Sequence, residues 1–237
     1  MSLVTTAASL AAFPVLAGII GGAFIVIRTP SPALVSGVQH FAAGVVMAAV
    51  AGEVLPELSG RGPLWLIVVG FCAGVALLVG LRRLEHAESR HPGAMPIGFL
   101  TVVAIDLFID GLLVATGAAI ATRTAVIITI ALTVEVFFLG LAVALATVSS
   151  GVGKLRAALT TGAISLVTAA GAVLGAIVLA GAGNTTLVLV LAFAAAALLW
   201  LVVEELLVEA HEIPEQPWMA VMFFVGFLLL YCLQALE

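Results

Sequence analysis

The chain has 237 residues, of which 64% are hydrophobic and only 9% are charged, and its formal net charge is -5. Soluble domains are about half apolar and roughly a quarter charged, so this composition excludes a soluble globular protein. Apolar windows of about 20 residues recur along the chain, which is the length that a helix needs to cross ~30 Å of hydrocarbon. We therefore expect an all-α membrane protein, because the strands of a membrane barrel would alternate in polarity.

Short polar turns divide the sequence into eight apolar segments within a single transmembrane domain, residues 1–237. Pro32, Pro63 and Pro217 lie near the starts of three segments, where a missing N–H does no harm. The predicted spans are approximately 8–28, 34–58, 63–84, 96–121, 123–148, 157–181, 185–210 and 217–236. The stretch MSLVTTAASLAAF has no basic segment and no clear cleavage site, so we interpret it as the start of the first span.

The positions of lysine and arginine predict the orientation, because cytoplasmic loops are enriched in both residues. With the N-terminus outside, the outer loops hold only Arg61 and Arg123, and the inner loops hold the other six basic residues. These six are Arg28, Arg82, Arg83, Arg90, Lys154 and Arg156. We therefore expect both termini to be extracytoplasmic.

Two segments far apart in the chain resemble each other. HFAAGVVMAAVAGEVLPEL (40–58) aligns without gaps on AFAAAALLWLVVEELLVEA (192–210). The alignment matches Glu53 with Glu205, and Glu57 with Glu209. Chance similarity between low-complexity helices is the alternative, but acids are rare in membrane helices and argue against it.

A second pair of segments lies in the middle of the chain. IDLFIDGLLVA (105–115) aligns on VEVFFLGLAVA (134–144), which matches Asp106 with Glu135. Spans two and seven cross the membrane in opposite directions, and so do spans four and five. The pattern therefore predicts an inverted repeat, with spans 1–3 mirrored by spans 6–8 around a central pair.

Asp106, Asp110 and Glu135 lie near the middle of spans four and five, where a charge costs roughly 2.5–3.5 kcal/mol. Asp106 and Asp110 are four residues apart and therefore share one helix face. Two like charges this close repel each other unless a cation lies between them. Carboxylate oxygens are ligands that hard divalent cations prefer, so the three acids form a candidate metal site. A protonated acid hydrogen-bonded between helices and a proton relay are the alternatives.

Two further pairs of acids have the same four-residue spacing. Glu53 and Glu57 lie near the outer end of span two, and Glu205 and Glu209 lie near the inner end of span seven. We interpret these pairs as gate or vestibule ligands on opposite sides of the membrane. The alternative is that they are water-facing acids at the ends of their helices.

Histidines accompany the inner loops. His86, His91 and His211 are candidate cytoplasmic-side ligands, because mixed histidine and glutamate side chains can capture metal weakly. A solvated charged loop is the alternative. We interpret His40, at the start of span two, as a hydrogen-bonded residue of the helix end.

These features together resemble the ZIP family of divalent metal (zinc/iron) transporters. The shared features are eight spans, both ends outside, an inverted 3+2+3 plan and acidic positions on spans four and five. LLWLVVEELLVEAHE resembles span seven of bacterial members, and GLAVA in span five and the His-containing loop between spans three and four also fit. The resemblance covers essentially the whole chain and implies a divergent bacterial-type member in a prokaryotic inner (plasma) membrane.

The family carries a His-Asn-x-Pro-Glu-Gly pattern in span four as part of its transport site. Here Asp106 stands at the His position and Asp110 at the Glu position, while Leu107 and Ile109 replace Asn and Pro. The resemblance therefore implies that Asp106 and Asp110 are metal ligands.

Span five offers Glu135 at its acidic position but has Leu139 where the family has Glu, and span six offers Thr168 where a Glu is frequent. The resemblance implies an ion held by the carboxylates of spans four and five. An all-oxygen site favours manganese, iron(II) or magnesium more than a site with histidine would.

We therefore expect a transporter, not an enzyme, that moves divalent metal cations by an elevator-like alternating-access mechanism. The resemblance implies that spans 1, 4, 5 and 6 move against spans 2, 3, 7 and 8. The metal ion is the substrate, and no cofactor is expected. The expected partners are the metal ion and the lipid bilayer, with no nucleic acid, and a homodimer is left open.

Three other functions stay open at this stage. A proton-coupled carrier of a non-metal solute would use the same acids. The second is an intramembrane aspartyl protease, which needs two acids on different helices. A zinc protease is not expected, because HEIPE at 211–215 lacks the HExxH pattern. A structural or sensory relative of the transporters is the third.

Overall fold

The computed structural model describes residues 2–28, 30–86, 97–214 and 216–236. In these ranges all regular structure is helical and no strand occurs, which confirms the all-α prediction. The helices are α1 (Leu3–Ile27), α2 (Pro32–Arg61), α3 (Leu64–His86), α4 (Ile97–Ile120), α5 (Thr122–Ser149), α6 (Lys154–Leu179), α7 (Asn184–Ala210) and α8 (Pro217–Leu236).

Length and composition identify an integral membrane protein. Among the described residues, seven helices are long and apolar enough to cross a membrane. The remaining helix is α3, in which the apolar stretch Leu64–Gly80 is shorter. Large apolar side chains such as Phe13, Ile20 and Leu228 are more than half exposed, at 59%, 57% and 57%. Exposing such an apolar surface to water is unfavourable in free energy, whereas contact with the hydrocarbon of a membrane is not.

The helices pack into two groups. In the first, which we name the site bundle, α1 packs against α5 and α6, and α4 packs against α5 and α6. In the second, which we name the second bundle, α2 packs against α8 and α7, and α3 packs against α7. The two bundles meet mainly where α2 contacts α5 and where α4 contacts α7. This arrangement places α4 and α5, which carry the central acids, between the rest of the site bundle and the second bundle.

Glycines allow the helices of the site bundle to approach closely. A Cβ atom on Gly21 of α1 would lie 2.0 Å from the carbonyl oxygen of Phe137 in α5. A Cβ atom on Gly171 of α6 would lie 2.2 Å from the carbonyl oxygen of Phe108 in α4. Any larger residue would therefore push these helices apart, which is the usual reason for small residues at membrane helix contacts.

Two helices contain a π-helical segment, namely Val50–Val54 in α2 and Leu201–Leu206 in α7. The segment in α2 precedes Pro56, whose ring would clash with the carbonyl four residues earlier in a regular α-helix. Glu53 lies in the first segment and Glu205 in the second. Short π-helical segments are rare and frequently occur at functional sites.

The contact between α2 and α8 is testable through Gly44. A Cβ atom there would lie 1.9 Å from the carbonyl oxygen of Phe223, so we expect Gly44→Ala to destabilise the protein by ~1–3 kcal/mol. Gly60→Ala, on the same helix, is the matched control because no described atom lies within 4 Å of its Cβ position. Thermal unfolding in detergent measures both variants. Equal melting temperatures would contradict the close contact of α2 and α8.

Candidate metal centre

Asp106 and Asp110 of α4 and Glu135 of α5 converge inside the site bundle. One carboxylate oxygen of each lies within 4.8 Å of the others. The helical spacing brings the two aspartates to one face of α4, and the packing of α5 against α4 brings Glu135 to them. Within the described ranges, this is the one group of three or more acids, histidines or cysteines close enough to share a metal ion.

The acid cluster is almost fully removed from the surface. The exposed fraction is 0% for Glu135 and 2% for Asp110, whereas Asp106 is half-buried. Asp106 is therefore the member through which the cluster is most accessible.

Four buried oxygens of the cluster have no hydrogen-bond partner among the described residues. Oδ2 of Asp106, Oδ2 of Asp110 and both carboxylate oxygens of Glu135 accept no hydrogen bond from the described residues. The ion pairs Glu57–Arg61, Glu204–Arg82 and Glu53–Arg123 involve other acids. A buried charge that is left unpaired costs several kcal/mol. This set of acceptors therefore requires protons or a bound cation.

Helix α6 borders the cluster. A Cβ atom on Gly111, next to Asp110, would lie 2.1 Å from the carbonyl oxygen of Thr168 in α6. Thr168 is fully buried, and its hydroxyl has no partner among the described residues. Glu205 lies in the π-helical segment Leu201–Leu206 of α7 and is not part of the group that converges around Glu135.

Glu53 is bound by the start of α5 and does not belong to the acid cluster. Thr124 donates a hydrogen bond of 2.6 Å from its hydroxyl to Oε1 of Glu53, and Nε of Arg123 lies 3.9 Å from Oε2. Arg123 also donates a hydrogen bond of 2.7 Å to the carbonyl oxygen of Gln234 in α8. These contacts form a polar link between the two bundles at one end of α5.

The other predicted gate acids make contacts outside the cluster. Glu57 forms an ion pair of 2.5 Å with Arg61, one turn further along α2. Glu209 accepts a hydrogen bond of 2.5 Å from Nε2 of Gln39, which joins the end of α7 to the start of α2. Neither acid is part of the group that converges around Glu135.

The histidines occupy a different region. The ring of His211, exposed at the end of α7, lies beside the buried ring of His40, with centroids 5.1 Å apart. Nδ1 of His40 hydrogen-bonds with the carbonyl oxygen of Ser36 at 2.9 Å. The predicted hydrogen bond is present, but the predicted position at a helix end is wrong, because α2 begins at Pro32 and His40 lies about two turns inside it. His86 ends α3, but its side chain lies outside the described part of the structure, and His91 lies outside the described residues.

Sequence reasoning missed the roles of Thr124 and Arg123. The signal that could have indicated them is the ATRT turn, since the predicted topology places this turn and Glu53 near the same membrane face. The pairing itself depends on how α2 and α5 are rotated against each other, which the sequence pattern does not specify.

Comparison with known family models gives no match for this chain, and comparison with curated proteins gives no match either. The functional assignment therefore depends on the geometry of the acids and on the architecture around them.

The unpartnered acids lead to a prediction about stability. In the presence of a chelator, we expect Asp110→Asn to stabilise the protein by ~1–3 kcal/mol, because it removes one of three adjacent buried acids. The asparagine amide can also donate a hydrogen bond to a neighbouring carboxylate. Thermal unfolding in detergent measures the change, with Glu212→Gln, at an exposed position, as the control. The prediction would be contradicted if, in the presence of the chelator, the Asp110→Asn variant were less stable than the unmodified protein.

Proposed function

We propose that this protein transports divalent metal cations across a membrane, with the ion held by Asp106, Asp110 and Glu135. The observation that carries the proposal is the convergence of three buried carboxylates whose inward oxygens lack partners among the described residues. Two or three carboxylates neutralise a divalent cation in a low-dielectric environment. A purely structural cluster would be expected to contain a basic side chain or hydrogen-bond donors.

The chemistry of the ligands supports a preference among ions. The three side chains offer only oxygen atoms, and Thr168, which lies against Gly111, would add oxygen as well. Hard cations such as manganese, iron(II) and magnesium prefer oxygen ligands, whereas zinc is more often bound by nitrogen and sulfur. We therefore propose manganese or iron(II) as the preferred substrate over zinc.

We further propose a ZIP-like architecture of eight membrane spans related by an inverted repeat. Two observations support the repeat. The contact of Gly21 with Phe137 between α1 and α5 has a counterpart in the contact of Gly171 with Phe108 between α6 and α4. The π-helical segments of α2 and α7 also fall within the two stretches that align in the sequence.

The transport step that we propose is a movement of the site bundle against the second bundle. Their interface is mainly apolar, and residues such as Ile128 and Ala131 of α5 share one buried cluster with Val46 of α2. Apolar contacts are non-directional, so a shifted interface can retain much of its stabilisation. The polar link at Glu53 is different, because its hydrogen bonds must break when α5 moves relative to α2.

The proposed setting is a prokaryotic inner membrane with both termini on the extracytoplasmic side. The excess of lysine and arginine in the loops assigned to the inside supports this orientation.

Uptake of Mn²⁺ into proteoliposomes tests the proposed site. We expect Asp106→Asn and Glu135→Gln each to reduce uptake roughly tenfold or more, because losing ~1.4 kcal/mol of ion binding is already a tenfold effect. Glu212→Gln should transport at the unmodified rate, because Glu212 is exposed and outside the cluster.

Two results would contradict the proposal. Undiminished uptake by both acid variants would exclude the three carboxylates as the transport site. If the unmodified protein instead conducts protons without metal and gains no stability from Mn²⁺ in thermal unfolding, that pair of results would favour a proton-coupled carrier of a non-metal solute.

The polar link between the bundles provides a separate test of movement. Thr124→Val preserves the shape of the side chain but removes the hydroxyl that donates to Glu53. We expect the maximal rate of Mn²⁺ uptake to change about fivefold, as for the loss of one hydrogen bond of ~1 kcal/mol, with ion affinity unchanged. Thr124→Ser retains the hydroxyl and serves as the control. A variant that loses ion affinity at an unchanged maximal rate would show that Thr124 acts on the site and not on the movement.

A further inference from the structure

An apolar groove lies between α1 and α6, on the face of the site bundle that is not covered by other helices. It has a volume of about 510 Å³, and every residue that lines it is apolar. Ile19, Ala23 and Ile27 line it from α1, and Leu155, Leu159 and Gly162 line it from α6. The groove follows the two antiparallel helices over about two turns of α1 and about three turns of α6.

Gly162 leaves the groove open, and the large apolar side chains that line it face the membrane. A Cβ atom on Gly162 would meet only Cγ1 of Ile19, at 3.6 Å, so the space above this glycine is not filled by another helix. Ile27 is 85% exposed, and Leu155 and Leu159 are each 66% exposed. In a membrane, such a surface contacts hydrocarbon chains.

Basic residues lie at one end of the groove. Arg28 follows Ile27 directly at the end of α1, and Lys154 and Arg156 flank Leu155 at the start of α6. Arg28 and Arg156 are both exposed. Ile27 and Leu155 line the groove at this end. The Cα atoms of Arg28 and Arg156, which follow them in the chain, therefore lie beside the end of the groove.

Acidic residues are absent from the sequence around these arginines. Neither residues 1–52 nor residues 136–203 contain an aspartate or a glutamate, and both α1 and α6 lie entirely within these ranges. The groove thus combines an apolar channel with a positively charged end, and this combination matches an acyl chain joined to an anionic headgroup.

We propose that this groove binds an anionic phospholipid, with an acyl chain between α1 and α6 and the headgroup phosphate at Arg28 and Arg156. Arginine binds phosphate oxygens through charge-assisted and frequently bidentate hydrogen bonds. Each basic residue near the membrane surface adds to the attraction for anionic lipids. The proposal requires only that the chain spans a membrane, and it does not depend on the transport of metal ions or on the orientation of the termini.

Native mass spectrometry of the full-length protein in detergent tests the preference for the headgroup. Phosphatidylglycerol and phosphatidylcholine with identical acyl chains are added in equal amounts. We expect preferential retention of phosphatidylglycerol, and a decrease of about fivefold for each of Arg28→Gln and Arg156→Gln. Retention of phosphatidylcholine should not change. Inorganic phosphate in large excess should not displace the lipid, because the acyl chain contributes to binding.

A variant of the groove tests the position of the acyl chain. Gly162→Phe fills the groove and should lower the retention of both lipids. Leu174→Phe is the matched control, because Leu174 is 51% exposed on the same helix and does not line the groove. Circular dichroism and melting temperature verify that both variants fold.

Three results would overturn the proposal. The first is equal retention of the two lipids by the unmodified protein, and the second is unchanged lipid retention in the arginine variants and in Gly162→Phe. The third is a dimer that Gly162→Phe dissociates, which would assign the groove to a second copy of the chain. If the lipid results hold and Mn²⁺ uptake is absent, the proposed transport function fails while the lipid site stands.

Discussion

The constraint on which the rest of this structure depends is a cluster of three carboxylates inside an apolar bundle, four of whose buried oxygens have no hydrogen-bond partner among the described residues. The net stability of a folded protein is only ~5–15 kcal/mol, and an uncompensated buried charge costs several kcal/mol. Asp106, Asp110 and Glu135 therefore cannot all remain ionised without a cation. Two acids nearer the helix ends have partners, because Glu53 accepts a hydrogen bond from Thr124 and Glu57 forms an ion pair with Arg61. Among the described residues, Glu53 and Glu57 thus have partners, whereas Oδ2 of Asp106, Oδ2 of Asp110 and both carboxylate oxygens of Glu135 have none.

The helices could be predicted from the sequence because apolar runs and polar turns are local signals. The predicted span 123–148, for example, corresponds to the helix Thr122–Ser149. The shared face of Asp106 and Asp110 followed from helical spacing, and Glu135 followed from the alignment of spans four and five. The partners of Glu53 could not be predicted in this way, because they depend on the rotation of α2 against α5. Pro56 offered a local signal for the π-helical segment of α2, whereas no proline lies within α7.

The site bundle has surfaces of two kinds. Toward the second bundle it presents buried apolar side chains and, at the start of α5, the polar link through Thr124 and Arg123. Toward the membrane it presents the groove between α1 and α6, with Arg28 and Arg156 at one end. The proposed lipid site therefore belongs to the bundle that is proposed to move. A bound lipid would move with that bundle or hold it back, so the lipid composition of the membrane would influence the rate of the transport step.

The number of acids in the cluster also has an electrical consequence. If all three are ionised, the empty cluster carries three negative charges, and a bound divalent cation reduces this to one. Moving one elementary charge through the whole membrane potential involves about 2.3 kcal/mol per 100 mV. Under the proposed movement, an empty cluster that has taken up two protons would carry one negative charge, as the loaded cluster does, and the membrane potential would act equally on both steps. The number of protons that the empty cluster takes up would then decide whether the return is driven by voltage or is electrically silent.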